Sequence, residues 1–467
     1  MQKKLLTVAV AGVLAAPVIA VAQNATEVYG TVNMAFGNFR YSDGSAARTN
    51  DGATAVMYGN SVSKWDVANG ASNYGVRSRE NLGGGLSAWV QIEQNAPLER
   101  SDNQAIKPAS RNSAIGIQGG FGNFFMGQWT TPWADLDALW GIGTVGFWGP
   151  VTSIIGRRET TGTAPDMNCA NGVGTTPGAA NQVGPASNCD ALQAGGGVGH
   201  ALWRRASNAI FYQSPVMAGV QAKAAYQTNE GRSTASSNAT VSQVVQNAWL
   251  FSGSVQWAGM GGRARVGAAY DIHHDFTTAG QSDTGYAVKG GWNFGVIDVG
   301  LAYEVFKYKC GVMPFTPASG ASGAAPTVAS SIAALCADTG DIKAKQYGIA
   351  LAVPVGPGSI RASYAVAKDL EGPIGSAPTI AGGAVTTPGT HISDTGAKTY
   401  NIGYEHRFSK RTNIGLGYAK IDNKQNAQFT WTGAPPIQTG SCTAAGCNTP
   451  LFGGDVSTFF LSMTHRF

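Results

Sequence analysis

Residues 400–408 read YNIGYEHRF, a run in which aromatic or apolar side chains alternate with small, polar or charged ones. Because successive side chains of an extended strand point to opposite faces, Tyr400 and Tyr404 share one face, whereas Glu405 and Arg407 share the other. The same period of two recurs along the chain in segments of about ten residues, as strands that cross a bilayer require. Helical spacing is nearly absent, and the pattern therefore predicts an all-β protein.

The alternating segments predict about sixteen strands, separated by connections of two kinds. The strands begin near residues 27, 72, 86, 112, 123, 203, 216, 246, 262, 284, 296, 343, 359, 398, 412 and 455. Short turns rich in Gly, Pro and Asn alternate with long connections rich in Gly, Ala, Ser, Thr and Pro. This alternation predicts a transmembrane antiparallel up-and-down β-barrel with long outer loops and short periplasmic turns. A multi-domain soluble β-protein is the alternative, but it gives no reason for the two kinds of connection to alternate.

The N-terminus indicates export. Lys3 and Lys4 precede an apolar run over residues 5–16, and Ala20-Val21-Ala22 provides small residues for cleavage before Gln23. Residues 1–22 are predicted to be a signal peptide, and residues 23–467 the mature barrel. The alternative is an N-terminal membrane anchor, for which the apolar run is shorter than the roughly 20 residues that span a bilayer.

Composition excludes several classes of function. The 467 residues include 64 glycines, only 13% are charged, and the formal net charge is +5. No dense Lys/Arg tract supports a nucleic-acid partner, since phosphate binding needs clustered cations. Residues 141–146 match the nucleotide-binding motif GxGxxG, but they lack the βαβ context of that motif, and we interpret them as a loop. Paired carboxylates and Ser/His/Asp arrangements do not stand out, so no enzyme is predicted; a lipid-cleaving barrel enzyme is the alternative.

In a barrel, the apolar face contacts outer-membrane lipid and the polar face lines a lumen. Alternate residues of a strand share a face, and this rule, which we call strand parity, predicts that two sets of charged side chains point inward. The basic set is Arg77, Arg79, Arg205, Lys223, Arg263, Arg265, Lys289, Arg361, Arg407 and Arg466, and the acidic set is Glu27, Glu93 and Glu405. A net basic wall concentrates anions, so the predicted channel favours them. The alternative is that these residues form salt bridges that only fill the interior.

The longest connection, residues 131–202, is predicted to contain a short helix. A Thr-Pro pair begins it, and Trp133, Leu136 and Trp140 recur at helical spacing. Folded into the lumen, this segment would constrict the pore. It would then set its acids against the basic wall: Asp135, Asp137 and Glu159. The alternative is a loop lying over the outer surface.

Six cysteines fall in pairs within three long connections: Cys169 and Cys189, Cys310 and Cys336, Cys442 and Cys447. Six cysteines allow 15 pairings, but this placement favours local disulfides in an oxidising compartment. No pair has C-x-x-C spacing, and no metal or other cofactor is predicted.

Three segments resemble Gram-negative general porins, the trimeric sixteen-stranded family of outer-membrane channels. Residues 72–86, SNYGVRSRENLGGGL, are similar to S-R-x-G-x-R-G-x-E-D-L-G-G-G-L. Residues 121–132, FGNFFMGQWTTP, are similar to F-G-x-x-x-L-G-R-Q-x-T-P, and residues 205–215, RASNAIFYQSP, to R-x-x-N-S-V-x-Y-x-S-P. The C-terminal Phe467 also fits, because in this family a terminal aromatic is read by the barrel assembly machinery.

The resemblance implies a homotrimer in the cell outer membrane. Each protomer would be a water-filled channel for passive diffusion of ions and small hydrophilic solutes, constricted by an inward-folded third loop that faces a basic cluster. Arg77 and Arg205 match basic positions of the pattern, and Arg79 adds one that the pattern lacks. Asn73 and Gln128 stand where the family has arginines. A substrate-specific channel and a barrel-anchored surface receptor or adhesin are the alternatives to a general porin.

Overall fold

The computed structural model describes residues 25–42, 61–96, 98–99, 108–155, 205–228, 249–274, 282–310, 340–369, 371, 379–381, 384–387, 394, 396–424, 427, 429–431 and 454–467. Several predicted features lie outside these ranges: the signal peptide 1–22, Glu159, Cys169, Cys189, Cys336, Cys442 and Cys447. Of Cys310 only the backbone is described.

The described residues are almost entirely β-strand. The strands are β1 (Ala25–Tyr41), β2 (Val62–Asn69), β3 (Asn73–Gly83), β4 (Leu86–Asn95), β5 (Ser113–Gly119), β6 (Gly122–Thr130), β7 (Arg205–Gln213), β8 (Val220–Gln227), β9 (Trp249–Gly259), β10 (Ala264–His274), β11 (Ser282–Asn293), β12 (Asp298–Cys310), β13 (Gly340–Val355), β14 (Gly358–Ala367), β15 (Thr379–Ala381), β16 (Ala384–Thr387), β17 (Ala397–Arg407), β18 (Thr412–Asn423) and β19 (Val456–Arg466). One α-helix, α1 (Pro132–Asp135), continues into a 3₁₀ turn (Leu136–Leu139), and further 3₁₀ turns lie at Pro150–Thr152 and Met260–Gly262.

All strands except the separate hairpin β15–β16 form one sheet of 17 strands. Each strand of this sheet is antiparallel to its neighbour, and β1 pairs with β19 from Thr31↔Arg466 to Tyr41↔Val456, which closes the sheet into a barrel. Closure leaves no strand edge with unpaired backbone groups, as a membrane-spanning sheet requires.

The seventeen strands make sixteen barrel positions, because β2 and β3 succeed one another along the same edge of β1. Met34 pairs with Asn69 in β2, while Thr31 pairs with Asn73 in β3, so one extra residue is inserted between them. This is a β-bulge, and Ala71 within it has a φ of 61°. The predicted sixteen-stranded, transmembrane up-and-down barrel is confirmed, with one strand position broken into two.

The connections alternate in length as predicted. The short turns lie at residues 84–85, 120–121, 214–219, 260–263, 294–297, 356–357 and 408–411. In the first, Gly83, Gly84 and Gly85 all have positive φ, between 59° and 82°, which side chains other than glycine rarely adopt. The chain therefore reverses tightly at one end of the barrel and through long connections at the other.

The two faces of each strand differ as the alternation requires. In β6, Phe124 and Met126 are 40% and 50% exposed on the outer face, whereas Phe125 between them is 1% exposed. In β19, Phe459 and Leu461 are exposed and Phe460 is buried. The outward apolar side chains form the surface that contacts lipid. Among the described residues, no helix is long and apolar enough to cross a bilayer.

Candidate functional site

The candidate site is the inner face of the barrel together with residues 131–155, which we call the inner segment. It begins at α1, where Pro132 occupies the first helical position and fixes a suitable φ. Trp133 and Leu136 are fully buried, and the backbone N–H of Trp133 donates to Ser252 Oγ on β9 at 3.2 Å. The predicted helix is thus present, and it lies against inward-facing side chains of the wall.

Acidic side chains attach this helical part to two lysines of the wall. Asp135 Oδ2 lies 2.9 Å from Nζ of Lys223 on β8, and Asp137 Oδ1 lies 2.6 Å from Nζ of Lys289 on β11. Burial raises the pKa of the Asp135 carboxyl above its ordinary value, and the neighbouring Lys223 opposes that rise only in part.

Lys289 also contacts a second carboxylate, that of Glu304 on β12, at 2.7 Å. Lys289 and Glu304 are both 0% exposed, and Glu304 Oε2 accepts a hydrogen bond from Gln346 Nε2 at 3.0 Å. A single buried ammonium therefore joins the inner segment, through Asp137, to β11 and β12. A buried ion requires partners of this kind, because its desolvation is otherwise uncompensated.

Two arginines extend the attachment by binding backbone carbonyls. Arg265 Nε donates to the carbonyl oxygen of Leu139 at 2.6 Å, and its Nη2 lies 2.7 Å from Asp298. Arg361 Nη1 donates to the carbonyl oxygen of Thr144 at 3.3 Å, and its Nη2 lies 2.9 Å from Glu405. In each case an acid on the wall orients the guanidinium toward the segment.

The distal part of the inner segment is held by an amide and by aromatic packing. Asn401 Oδ1 accepts from the N–H of Val145 at 3.0 Å, while its Nδ2 donates to the carbonyls of Val145 and Trp148 at 3.1 and 2.7 Å. The Trp148 ring meets Phe39 and Phe460 edge-on, with centroids 4.9 and 5.1 Å apart. The inner segment thus runs along the wall from β8 to β1 and β19.

The close approach of the inner segment to the barrel wall depends on glycine at two positions. A Cβ at Gly300 would lie 2.2 Å from the carbonyl oxygen of Trp140, and one at Gly348 would lie 2.9 Å from its indole ring. Trp140 is 1% exposed. The wall strands β12 and β13 therefore leave room for this indole by having no side chain beneath it.

A second polar network lines the wall formed by β1, β3, β4 and the start of β5. Arg77 forms an ion pair with Glu27, and its guanidinium lies 5.0 Å from the centre of the Tyr29 ring. Tyr29 donates to Glu93 at 3.0 Å, and Glu93 accepts from Arg111 at 2.7 Å. Four charged groups are thus joined through one phenol.

The remaining predicted cations are less enclosed. Arg79 Nε donates to Ser87 Oγ at 3.1 Å, and Arg205 Nε donates to Asn112 Oδ1 at 3.0 Å. Arg407 is 60% exposed and lies 3.7 Å from Glu405, which it shares with Arg361. Arg263 is exposed in the short turn before β10.

Three charged residues that the sequence reasoning missed belong to these networks: Arg111, Asp298 and Glu304. Leu301 and Tyr303 are exposed on the outer face of β12, and the same parity places residue 304 inward. That alternation could have identified Glu304. Arg111 lies just before β5, where no strand parity applies.

The C-terminal residue lies beside the N-terminal strand. The backbone N–H of Phe467 donates to the carbonyl of Gly30 at 3.1 Å, and the N–H of Gly30 donates back at 3.2 Å. A Cβ at Gly30 would lie 2.5 Å from the Phe467 ring. Phe467 therefore lies where β1 and β19 pair and close the barrel.

A model of the Gram-negative porin family matches residues 6–426. The chain belongs to the Gram-negative porin family. Together with the closed barrel, this membership makes the protein an outer-membrane channel protein of the porin type.

The chain is also similar to one curated relative in sequence and to solved structures in fold. The chain is 28% identical over 165 residues to the major outer membrane protein P.IB of Neisseria gonorrhoeae, a match that spans 34% of this chain and 41% of that relative. The fold is similar to the anion-selective porin of Comamonas acidovorans, with a TM-score of 0.55, 18% identity, and coverage of 95% of this chain and 100% of that one. It is also similar to OmpT of Vibrio cholerae, with a TM-score of 0.53, 12% identity, and coverage of 97% and 100%.

Proposed function

We propose that this porin is a water-filled, anion-preferring channel for passive diffusion of ions and small hydrophilic solutes. The single observation that carries the proposal is the charge balance of the inner wall. Seven acids of the inner wall and the inner segment lie within 4 Å of a basic side chain: Glu27, Glu93, Asp135, Asp137, Asp298, Glu304 and Glu405. By contrast, Arg79, Arg263 and Arg466 have no carboxylate partner among the described residues.

Unpaired cations in a narrow aqueous passage attract anions, because low-dielectric walls focus their field. Glu405 contacts both Arg361 and Arg407, and Lys289 contacts both Asp137 and Glu304, so these two shared contacts offset each other and the excess comes from the cations without a carboxylate partner. The solved porin of Comamonas acidovorans, similar in fold, is described as anion-selective, and this agrees with the same preference here.

We propose further that the loop of residues 131–202 constricts the channel. Support comes from the inner segment, whose contacts to β8, β9, β11, β17 and β19 all engage inward-facing side chains. A segment held this way occupies part of the lumen's cross-section. The barrel of sixteen strands is wide enough to retain water beside it.

The assembled state is proposed as a homotrimer exported with a cleaved signal peptide of residues 1–22, with Phe467 recognised by the barrel assembly machinery. An OmpT structure from Vibrio cholerae, similar in fold, is described as a trimer form. The cysteine pairs 169–189, 310–336 and 442–447 are proposed as local disulfides. No metal or other cofactor is proposed.

The test is single-channel recording in a planar bilayer with the mature chain, residues 23–467, refolded and purified. We expect ohmic steps of conductance in KCl that occur in groups of three. A correctly folded barrel that inserts and passes no current would overturn the channel, and single independent steps would overturn the trimer. A variant in which Asp137→Asn and Asp135→Asn loosen the inner segment should give larger steps than wild type.

A further inference from the structure

One part of the inner wall departs from the polar-inward rule of membrane barrels. A row of directly opposed residues crosses five strands at one level, each residue the register partner of the next: Arg79, Trp89, Gly116, Phe125 and Phe211. Ile210 and Tyr212 beside Phe211 are 43% and 39% exposed on the outer face, so the row itself faces inward. A lumen wall normally carries polar side chains at such positions.

The rings of this row form one continuous aromatic surface, to which Trp129 adds a fourth ring. Trp89 lies 5.3 Å from Phe125 and 5.7 Å from Trp129, and Phe125 stacks on Phe211 at 4.8 Å with an interplanar angle of 5°. We call these four residues the aromatic wall: Trp89, Phe125, Trp129 and Phe211.

Gly116 makes the arrangement possible. A Cβ there would lie 2.7 Å from the Trp89 ring and 2.6 Å from Phe125. The Trp89 indole therefore extends across β5 toward β6, and its Nε1 donates to Asn123 Oδ1 at 2.8 Å. With the rotation of Trp89 fixed by this bond, one edge of the aromatic wall is held in place.

The two phenylalanines are buried at 1% and 3%, while Trp89 and Trp129 remain partly exposed. A solute in the lumen would thus meet the two indoles, against which the Phe125 ring packs at interplanar angles of 55° and 69°. Flat π-systems stack on such surfaces in offset or edge-on geometry.

A cation stands directly beside these indoles. Arg79 is the register partner of Trp89 on the same face, so their Cβ atoms are about 5 Å apart. Arg79 is an exposed residue, and within the described part of the chain its guanidinium pairs with no carboxylate and donates to the hydroxyl of Ser87. A guanidinium presents a planar fork that fits a carboxylate in bidentate fashion.

From this juxtaposition we infer that the aromatic wall and Arg79 form a solute-binding site for aromatic carboxylates. The ring stacks on one of the two indoles, Trp89 or Trp129, and meets the other edge-on, since their planes differ by 68°, while the carboxylate pairs with Arg79. The inference rests on the proposed function in that the solute reaches the site through the lumen. The site makes the channel selective among anions by ring content as well as by charge.

The experiment measures ligand binding rather than current, so that its outcome does not depend on whether the protein conducts. Benzoate, cyclohexanecarboxylate and acetate are titrated into the detergent-folded protein, and saturation-transfer NMR reports contact between each ligand and the protein. Benzoate should give the tightest binding, and acetate the weakest, because the three share a carboxylate and differ in the group that would stack.

Three variants locate the contact. Trp129→Leu keeps an apolar side chain and removes the indole, and it should raise the half-saturating benzoate concentration about threefold to tenfold. Arg79→Gln, on an exposed side chain, should weaken benzoate and leave neutral benzyl alcohol unchanged. Trp292→Leu removes an indole from the outer face and should leave benzoate binding as in wild type.

Benzoate binding no tighter than that of acetate, or equal in wild type and Arg79→Gln, would overturn the site. If Trp129→Leu does not fold, the Arg79→Gln comparison decides alone. A protein that conducts in KCl and does not bind benzoate refutes the site and leaves the channel intact. A protein that binds benzoate and passes no current refutes the channel and leaves the site intact.

Discussion

Replacing Lys289 by methionine should destabilise the barrel more than removing any exposed lysine. Lys289 is 0% exposed and neutralises two carboxylates at once, Asp137 at 2.6 Å and Glu304 at 2.7 Å. Methionine has a similar length and fills the space, so the change isolates the loss of charge. It leaves two acids facing each other, one of them, Glu304, wholly buried.

The magnitude follows from that burial. Removing one partner of a buried ion pair costs about 3–5 kcal/mol, because the remaining charge has lost its compensation. Glu304 keeps a hydrogen bond from Gln346 at 3.0 Å, and Asp137 keeps one from the Trp140 indole at 3.1 Å. These bonds hold the expected loss near the lower end, at about 3 kcal/mol.

The assay is equilibrium unfolding of the detergent-folded protein in guanidinium chloride, followed by tryptophan fluorescence, with the free energy of unfolding compared between variants. Lys345→Met is the matched control, since Lys345 lies at the surface and pairs with the exposed Glu371. Its free energy of unfolding should equal that of wild type within error, because solvent screens such pairs.

A double variant tests the cause. Lys289→Met combined with Glu304→Gln removes the buried carboxylate as well, and it should recover more than half of the loss. Unfolding of Lys289→Met at the same denaturant concentration as Lys345→Met would refute a stabilising role of the buried ammonium. A double variant less stable than Lys289→Met alone would refute it as well.

Two further changes probe the inner segment. Protonation of Asp135 removes a negative charge and releases Lys223, so anion preference should increase on acidification, beginning above pH 3.8, the ordinary pKa, because burial raises the pKa of Asp135. Reversal potentials recorded across pH test this: Asp135→Asn should show the higher preference at neutral pH, and the difference from wild type should disappear as Asp135 becomes protonated. Gly300→Ala would place a Cβ 2.2 Å from the Trp140 carbonyl and should displace the segment, which single-channel conductance would register as a larger step. Gly120→Ala meets nothing within 4 Å and should conduct like wild type; equal conductance in both glycine variants would contradict the described packing.

The barrel could be predicted because alternation is a local property of each strand, but the break between β2 and β3 could not. Trp65 and Val67 are exposed on the outer face of β2, at odd positions, whereas Tyr74 and Val76 are exposed at even positions of β3. The extra residue of the bulge reverses the parity. A prediction that assumes one unbroken alternation of side chains therefore begins the strand after the bulge and misses β2.

The helical start of the inner segment was likewise visible in the sequence, as the spacing of Trp133, Leu136 and Trp140. Its attachment was not, because the partners are distant along the chain. Asn401 binds Val145 across 256 positions, and no local pattern links them. Parity alone indicated which cations point inward, and it could not indicate which of them are neutralised by an acid.

The aromatic wall shows the same limit. Strand parity predicts that Trp89 and Phe125 point inward. A search for inward polar residues nevertheless misses them, because both are apolar. Only the register of β3 to β7 brings Arg79 and the rings to one level of the barrel. Cross-strand neighbours are set by tertiary pairing, which the sequence of a single strand does not contain.

The proposed channel is an aqueous passage whose wall carries more positive than negative charge. The reversal potential of the refolded protein in a planar bilayer, with a tenfold KCl gradient across it, tests that claim most directly. We expect a potential of the sign that chloride movement produces, and a smaller potential of that sign in Arg79→Gln, because that arginine lacks a carboxylate partner among the described residues. A potential of the sign that potassium produces would contradict it.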